Sequence, residues 1–361
     1  MFRYRDEGLA QRIIEKLKGL KLDLRLMHVC GTHQDTLVKF GLHSMLQGAG
    51  IEVRAGPGCP VCVTTVKEIE EAILLARKGK VVATFGDMFR VPGERQSLAD
   101  VKAEGFDVRM VYSITDCIAI AEKTGKDVVF FSIGFETTAP TPASVILNNP
   151  PENFSILSAH RLIPPAMEAL IKMGEMKIDG FINPGHVSTI IGAGAYEFLS
   201  TRYKMPQVIA GFEPLDVLVA AYMLAMQIRK GEARVENEYA RVVKPEGNEK
   251  AKRIMEAVFE PFDVGWRGFS VIPSSGLRLR EEFGTCDARK RYEDELSELC
   301  NEYKEPEGCR CGEILRGLVY PEDCPLFGKV CTPQHPIGPC MVSMEGCCNI
   351  LFRYGKHGIG I

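Results

Sequence analysis

The chain has 361 residues, enough for two or three domains. Hydrophobic residues make up 45% and charged residues 25%, the balance of an ordinary soluble globular protein. A net charge of −3 gives no electrostatic ground for nucleic acid or an anionic membrane as a partner.

Residues 1–20 carry a charged amphipathic helix pattern, with Leu9, Ile13, Ile14, Leu17 and Leu20 on one stripe and no continuous apolar run of the signal-peptide kind. From about residue 24 to 230, short apolar runs alternate with helical patterns, the signature of βαβ units and a parallel sheet. The expected strands are Leu24–Val29, Ile51–Arg54, Val81–Thr84, Val108–Tyr112, Val128–Ile133, Ser155–Leu157, Gly180–Ile182 and Gln207–Ala210. Thr65 and Glu68 form a capping box for a helix whose inner face is Val66, Ile69, Ile73 and Ala76, and Arg77-Lys78-Gly79 ends it. The most apolar stretch, Val217 to Met226, is shorter than the roughly 20 residues of a membrane span, so the cytoplasm is the expected location.

Gly125-Lys126 divides this region into two units that look like diverged copies. In the first, a strand leads to Cys30-Gly31-Thr32-His33, and 29 positions after Cys30 comes Cys59 in Pro57-Gly58-Cys59. In the second, a strand leads to Ser158-Ala159-His160, and 28 positions after Ser158 comes His186 in Pro184-Gly185-His186. Thr84-Phe85-Gly86-Asp87 is then echoed by Ala210-Gly211-Phe212-Glu213. The expected fold class is α/β: two related parallel-sheet α/β/α units facing across a cleft, followed by a cysteine-rich domain. The corresponding boundaries are 1–124, 125–262 and 263–361. After about Asn237, a charged helix (Glu249 to Val258) gives way to Pro261, Gly265, Gly268, Pro273 and Gly276. The tail beyond has few long apolar runs, so it is expected to need a staple.

Thirteen cysteines are many for a chain in a reducing compartment, where they serve as metal ligands or redox groups more often than as disulfides. Seven (Cys309, Cys311, Cys324, Cys331, Cys340, Cys347, Cys348) fall in the last 53 residues. Cys309, Cys324, Cys331 and Cys348 lack the close pairs of most structural zinc sites and better suit a four-iron cluster; zinc and inert thiols stay open. In Gly56-Pro57-Gly58-Cys59-Pro60-Val61-Cys62, a C-x-x-C before a helix reads as redox-active, because the helix field stabilises thiolate. The plainer readings are half a zinc site or two buried thiols, and the glycines and prolines favour an exposed loop instead.

Cys30 stands at the carboxyl end of a strand, the ligand-binding edge of open α/β sheets. With His33 three residues on, it reads as a nucleophile and base, as a metal ligand with its supporting partner, or as packing. Asp87, Arg90, Glu136 with Thr137 and Thr138, His160, Arg161, His186, Glu213 and Asp216 are expected at the same edge. Helix capping is the simpler reading of Thr137, Thr138 and Asp216. Cys117 reads as core; Cys286 and Cys300 have no partner spacing.

Cys30-Gly31-Thr32-His33, Gly56–Cys62, Gly134-Phe135-Glu136-Thr137-Thr138, Asn183-Pro184-Gly185-His186-Val187-Ser188, Gly211-Phe212-Glu213-Pro214 and the tail spacing resemble the HypD family of hydrogenase maturation proteins. The resemblance runs over essentially the whole chain. It implies a scaffold with redox activity, rather than a conventional turnover enzyme, on which the Fe(CN)2CO group of [NiFe]-hydrogenases is assembled as transient cargo. It further implies HypC as a small partner, HypE as the cyanide donor, and the hydrogenase large subunit as an indirect partner. By the same resemblance Cys30 binds iron, Cys59 and Cys62 are the cysteine pair, and Cys309, Cys324, Cys331 and Cys348 hold a [4Fe-4S] cluster. Cys30, His33, Cys59, Cys62 and Glu136 are the residues expected to carry the chemistry. The competing expectations are a cluster-linked thiol-disulfide reductase acting on Cys59/Cys62, and a zinc-stabilised binding module.

Overall fold

In a computed structural model, which describes residues 5–300 and 302–355, all eight expected strands form. They are β1 (Leu24–His28), β2 (Ile51–Ala55), β3 (Val81–Thr84), β4 (Val108–Met110), β5 (Val128–Gly134), β6 (Phe154–Arg161), β7 (Gly180–Pro184) and β8 (Gln207–Ala210). Three more follow: β9 (Val235–Asn237), β10 (Phe259–Gly265) and β11 (Val271–Leu279). The molecule is α/β, with one five-stranded parallel sheet in the order β2-β1-β7-β8-β9. A six-stranded sheet has the order β10-β11-β6-β5-β3-β4, parallel except for the antiparallel β10–β11 hairpin that joins β6.

The sheets do not divide at Gly125. The chain lays β1 and β2 in the first sheet, β3 to β6 in the second, returns for β7 to β9, and ends with β10 and β11 in the second. Direct pairing of β1 with β7 (Leu26↔Gly180, Met27↔Phe181, His28↔Ile182) fixes this crossing. The echo between the two halves therefore does not place its members as expected. Cys30, Cys59 and His186 all follow strands of one sheet, whereas Ser158 lies inside β6 of the other. β6 runs four residues past its expected end because its polar side chains find partners within the core. Ser158 Oγ donates to Leu277 O (2.7 Å), and Ser132 Oγ and His160 Nε2 share a hydrogen bond of 2.8 Å.

The hairpin was not legible as strands, since Pro261 and Gly265 read as breakers. Pro261 is tolerated because β10 is an edge strand with an unpaired side. At the N-terminus, Asp6 caps the helix Glu7–Leu20, which buries Ile13, Ile14 and Leu17 of the expected stripe against the helix Pro214–Lys230. No helix among the described residues is long and apolar enough to cross a membrane. The tail borrows a core: Ile314, Leu315, Phe327 and Met341 are buried in the same cluster as Val61, Phe131 and Leu157.

The Thr65–Glu68 capping box forms as expected, with Thr65 N–H donating to Glu68 Oε2 at 2.9 Å. Glu68 does more than cap. Arg161 Nη2 donates to both its oxygens (2.8 and 2.7 Å) and to Gly265 O (2.9 Å), joining helix, β6 and the hairpin. Burial pushes the Glu68 carboxyl up, but the Arg161 and Arg289 guanidiniums outweigh it and hold the group below its ordinary value. Its stabilising share is thus present above the ordinary carboxylate pKa and lost as pH falls through the lower folded value. Arg161→Leu strands a buried carboxylate and is expected to cost about 3–5 kcal/mol, read as a lowered denaturant midpoint at unchanged slope. An effect under about 1 kcal/mol would show that the pair is not structurally important.

Candidate functional site

The first sheet brings four loop starts to one carboxyl edge: those after β1, β2, β7 and β8. Cys30, after β1, is the N-cap of the helix Gly31–Lys39. The Cys59 loop, after β2, is pressed against it, backbone to backbone. Gly56 N–H donates to His28 O (2.8 Å), Gly31 N–H donates to Gly58 O (3.1 Å), and a Cβ on Gly58 would overlap Cys30 N. Only glycine permits that approach. Gly58→Ala is accordingly expected to force the loops apart, destabilising by about 1–3 kcal/mol. The same variant should increase alkylation of Cys30, which thiol mass spectrometry would register; unchanged alkylation would refute the packing account.

Cys30 is nearly buried. Burial pushes its thiol up to about 11, while the His33 and Thr32 N–H groups act the other way and Glu345 adds to the rise. Glu345 lies against Gly31, so the tail forms one wall of this site. Asp87, after β3, fixes that wall by accepting from Ser343 Oγ and Met344 N–H, both at 3.0 Å.

His33 is fully buried, and burial lowers its imidazole to about 4. Its Nε2 faces two acceptors, Gly211 O (2.9 Å) and Ala210 O (3.3 Å), so that nitrogen carries the hydrogen and Nδ1 keeps its lone pair without a partner among the described residues. Phe212 lies beside it, and His186 stacks on Phe212 with ring centroids 3.9 Å apart. Glu136 follows β5 in the other sheet. Its Oε1 accepts from Ile163 N–H (2.9 Å), its Oε2 has no partner among the described residues, and burial pushes it up to about 7. The buried phenol of Tyr196 is within electrostatic reach of both Glu136 and Cys30.

Other expected edge groups do different work. His160 and Arg161 lie inside β6, Glu213 pairs with Arg5 (2.6 Å), and Asp216 caps by accepting from Glu213 N–H (3.1 Å). Arg90 donates to Pro333 O (3.1 Å) and so helps hold the tail.

The C-x-x-C pair is not on an exposed loop. Cys59 and Cys62 are 3% and 0% exposed, because the tail covers the loop that glycine and proline shape. Cys59 caps the short helix Pro60–Val63, and Cys62 N–H donates to its Sγ (3.3 Å). Burial pushes the Cys62 thiol well up, and contact with Cys340 adds to the rise, which corrects the expectation of a helix-activated thiolate at Cys62.

Cys340 is the centre of the thiols. It is in side-chain contact with Cys311, Cys348 and Cys62, whose donation favours the thiolate at Cys340. Cys311 also touches Cys309 and Cys348. Around them, Ile337 N–H donates to Cys331 Sγ (3.4 Å), and Cys324 Sγ–H donates to Gly308 O (3.8 Å), beside Cys309. A Cβ on Gly338 would stand 2.6 Å from Cys311 Sγ and 2.7 Å from Cys309 Sγ. Contacts thus run unbroken from Cys59 and Cys62 through Cys340 and Cys311 to Cys309 and Cys348. Spacing along the chain left Cys311 and Cys340 without a role, and nothing local marks them. Cys347 is buried close by, Cys117 is core as expected, and Cys300 is exposed.

A family model, HypD, described as the hydrogenase formation hypA family, matches residues 7–355. A hydrogenase expression/formation protein of Methanocaldococcus jannaschii is 50% identical over 99% of this chain and 100% of its own length. The hydrogenase maturation factor HypD of Rhizobium leguminosarum is 42% identical over 98% of this chain and 94% of its own length. That of Azotobacter vinelandii is 42% identical over 98% and 96% respectively. With these matches spanning both sheets and the cysteine-rich tail, the chain belongs to the HypD family of hydrogenase maturation factors.

Proposed function

We propose that this protein is the scaffold on which the Fe(CN)2CO group is assembled, with Cys30 as the thiolate that takes the iron. HypC and HypE are the proposed partners, HypE delivering cyanide, and the hydrogenase large subunit receives the cargo indirectly; the cytoplasm is the proposed setting. The observation that carries the reading is the packing of the Cys30 loop directly on the Cys59 loop, with Cys62 in contact with the thiols of the tail. A metal-binding thiol and a source of electrons are thereby joined in one buried unit.

The donor set of the tail fits a [4Fe-4S] cluster held by Cys309, Cys324, Cys331 and Cys348. At Gly338 a Cβ would stand 2.7 Å from Cys309 Sγ, and the Gly338 and Ile337 N–H groups favour thiolate at Cys331, as a soft cluster ligand needs. Such a cluster would supply single reducing equivalents.

The chain's own groups do the rest. Cys340 and Cys311 bridge between the cluster thiols and Cys62. When Cys59 and Cys62 form their disulfide, two electrons and two protons leave the pair; reduction returns both. His33, neutral and with Nε2–H spent on Gly211 O, holds the end of β8 beside the iron thiol. Glu136, pushed up to about 7, is half protonated near neutrality and can both give and take a proton. Burial of both thiols speaks against a disulfide reductase for outside proteins, which needs an accessible pair. The test is infrared spectroscopy of anaerobic protein co-purified with its small partner, which should show CO and cyanide stretches. Their absence from a complex that carries iron beyond the tail's share would overturn the scaffold.

A further inference from the structure

We propose that Arg267 is the counter-charge of the tail's iron–sulfur cluster, a positioning residue that favours the reduced cluster; the proposal rests on the cluster reading above. Arg267 sits in the turn between β10 and β11, and that turn is wedged among the thiols. Its N–H donates to Val63 O (2.9 Å), the residue after Cys62. Gly268 beside it has φ +81, and a Cβ there would overlap the Cα of Gly312, the residue after Cys311. The third neighbour is Glu305, four residues before Cys309, whose Oε1 is 3.3 Å from Arg267 Nε and whose charge raises the Cys309 thiol.

The Arg267 side chain is 1% exposed, yet Nε, Nη1 and Nη2 all lack a hydrogen-bond partner among the described residues. A guanidinium has five N–H donors and never loses its charge in a protein. Burying it with one loose ionic contact is unfavourable unless more negative charge stands close by. Glu305 does not meet that need, being half exposed and placed at Nε alone. Cys309, the proposed cluster ligand four residues beyond Glu305, does once it is a thiolate around iron. A four-thiolate [4Fe-4S] site is net negative and gains one further negative charge on reduction. A cation fixed in this low-dielectric setting stabilises the reduced form more than the oxidised one.

The test uses full-length anaerobic protein, reading iron content, unfolding midpoint and the cluster's midpoint potential by dye-mediated titration followed by electron paramagnetic resonance. Arg267→Met removes the charge at similar length and should keep about four irons. At a fixed poise its reduced-to-oxidised ratio should fall at least about tenfold, which is about 59 mV for a one-electron couple. Arg267→Lys should restore most of the potential without restoring the guanidinium's shape. If Arg267→Met changes the unfolding midpoint but not the potential, Arg267 is structural and the proposal is overturned. Should the methionine variant fail to fold, Arg267→Gln decides, because it removes the charge and keeps a hydrogen-bonding side chain at the turn. The potential must then fall, and an unchanged or higher value overturns the proposal. Wild-type protein without a four-iron cluster would overturn the tail reading and this proposal together; a cluster indifferent to Arg267 overturns this proposal alone.

Discussion

Cys30→Ala is expected to abolish the CO and cyanide infrared bands of protein co-expressed with its partners. The fold, the tail's iron and the Cys59/Cys62 couple should remain. Losing one buried sulfur leaves a small void, worth about 1 kcal/mol. The helix Gly31–Lys39 has no side-chain cap bond from Cys30 to lose. The same residue sets a pH dependence. Because burial pushes its thiol up to about 11 before metal arrives, iron must displace one proton from it. Below that value the apparent affinity should rise about tenfold per pH unit, so acidification weakens loading. His33→Ala should reduce loading about 10–100-fold, as loss of a group supporting a metal ligand does. Persistent CO and cyanide bands in Cys30→Ala would remove Cys30 as the iron ligand and leave Cys59 and Cys62 as the next candidates.

Much of this was legible along the chain, and the remainder fails for physical reasons. The eight strands and the Thr65–Glu68 cap are local signals of period and end chemistry, and they hold. Which sheet each strand joins is non-local: β1 pairs with β7 across about 150 residues, and no local pattern in Leu26 or Gly180 announces it. β6 was cut short because Ser158, His160 and Arg161 look like loop residues until Leu277, Ser132 and Glu68 are seen to receive them. The same blindness affects the thiols. Gly56–Cys62 has the composition of an exposed turn, yet the tail, more than 240 residues on, covers it. Cys311 and Cys340 acquire meaning only when that covering sets them between Cys62 and Cys348.

That placement makes Cys340 the next decisive position. It is in contact with Cys62 on one side and with Cys311 and Cys348 on the other, while lying outside the four proposed cluster ligands. Serine keeps the size and a hydrogen-bonding group but has no exchangeable sulfur. Cys340→Ser should therefore stay brown, hold about four irons and fold normally. With Cys59 and Cys62 first oxidised to their disulfide, a reductant that reaches the tail should restore both thiols in wild type. In Cys340→Ser the restoration should drop to the rate of direct attack by the reductant on a disulfide that burial shields. The difference arises because thiol–disulfide exchange requires a sulfur within bonding reach, and Cys340 is the tail thiol in contact with Cys62: its attack releases Cys59 and leaves a Cys62–Cys340 disulfide, which two electrons from the reductant then open. Cys311→Ser should share the defect, being the link onward to Cys309 and Cys348. Differential alkylation with mass spectrometry reads the pair directly, and absorbance reads the cluster in the same sample. Bleaching of Cys340→Ser would make Cys340 a cluster ligand in place of one of the four. Restoration at the wild-type rate would mean that electrons reach Cys59 and Cys62 without passing through Cys340.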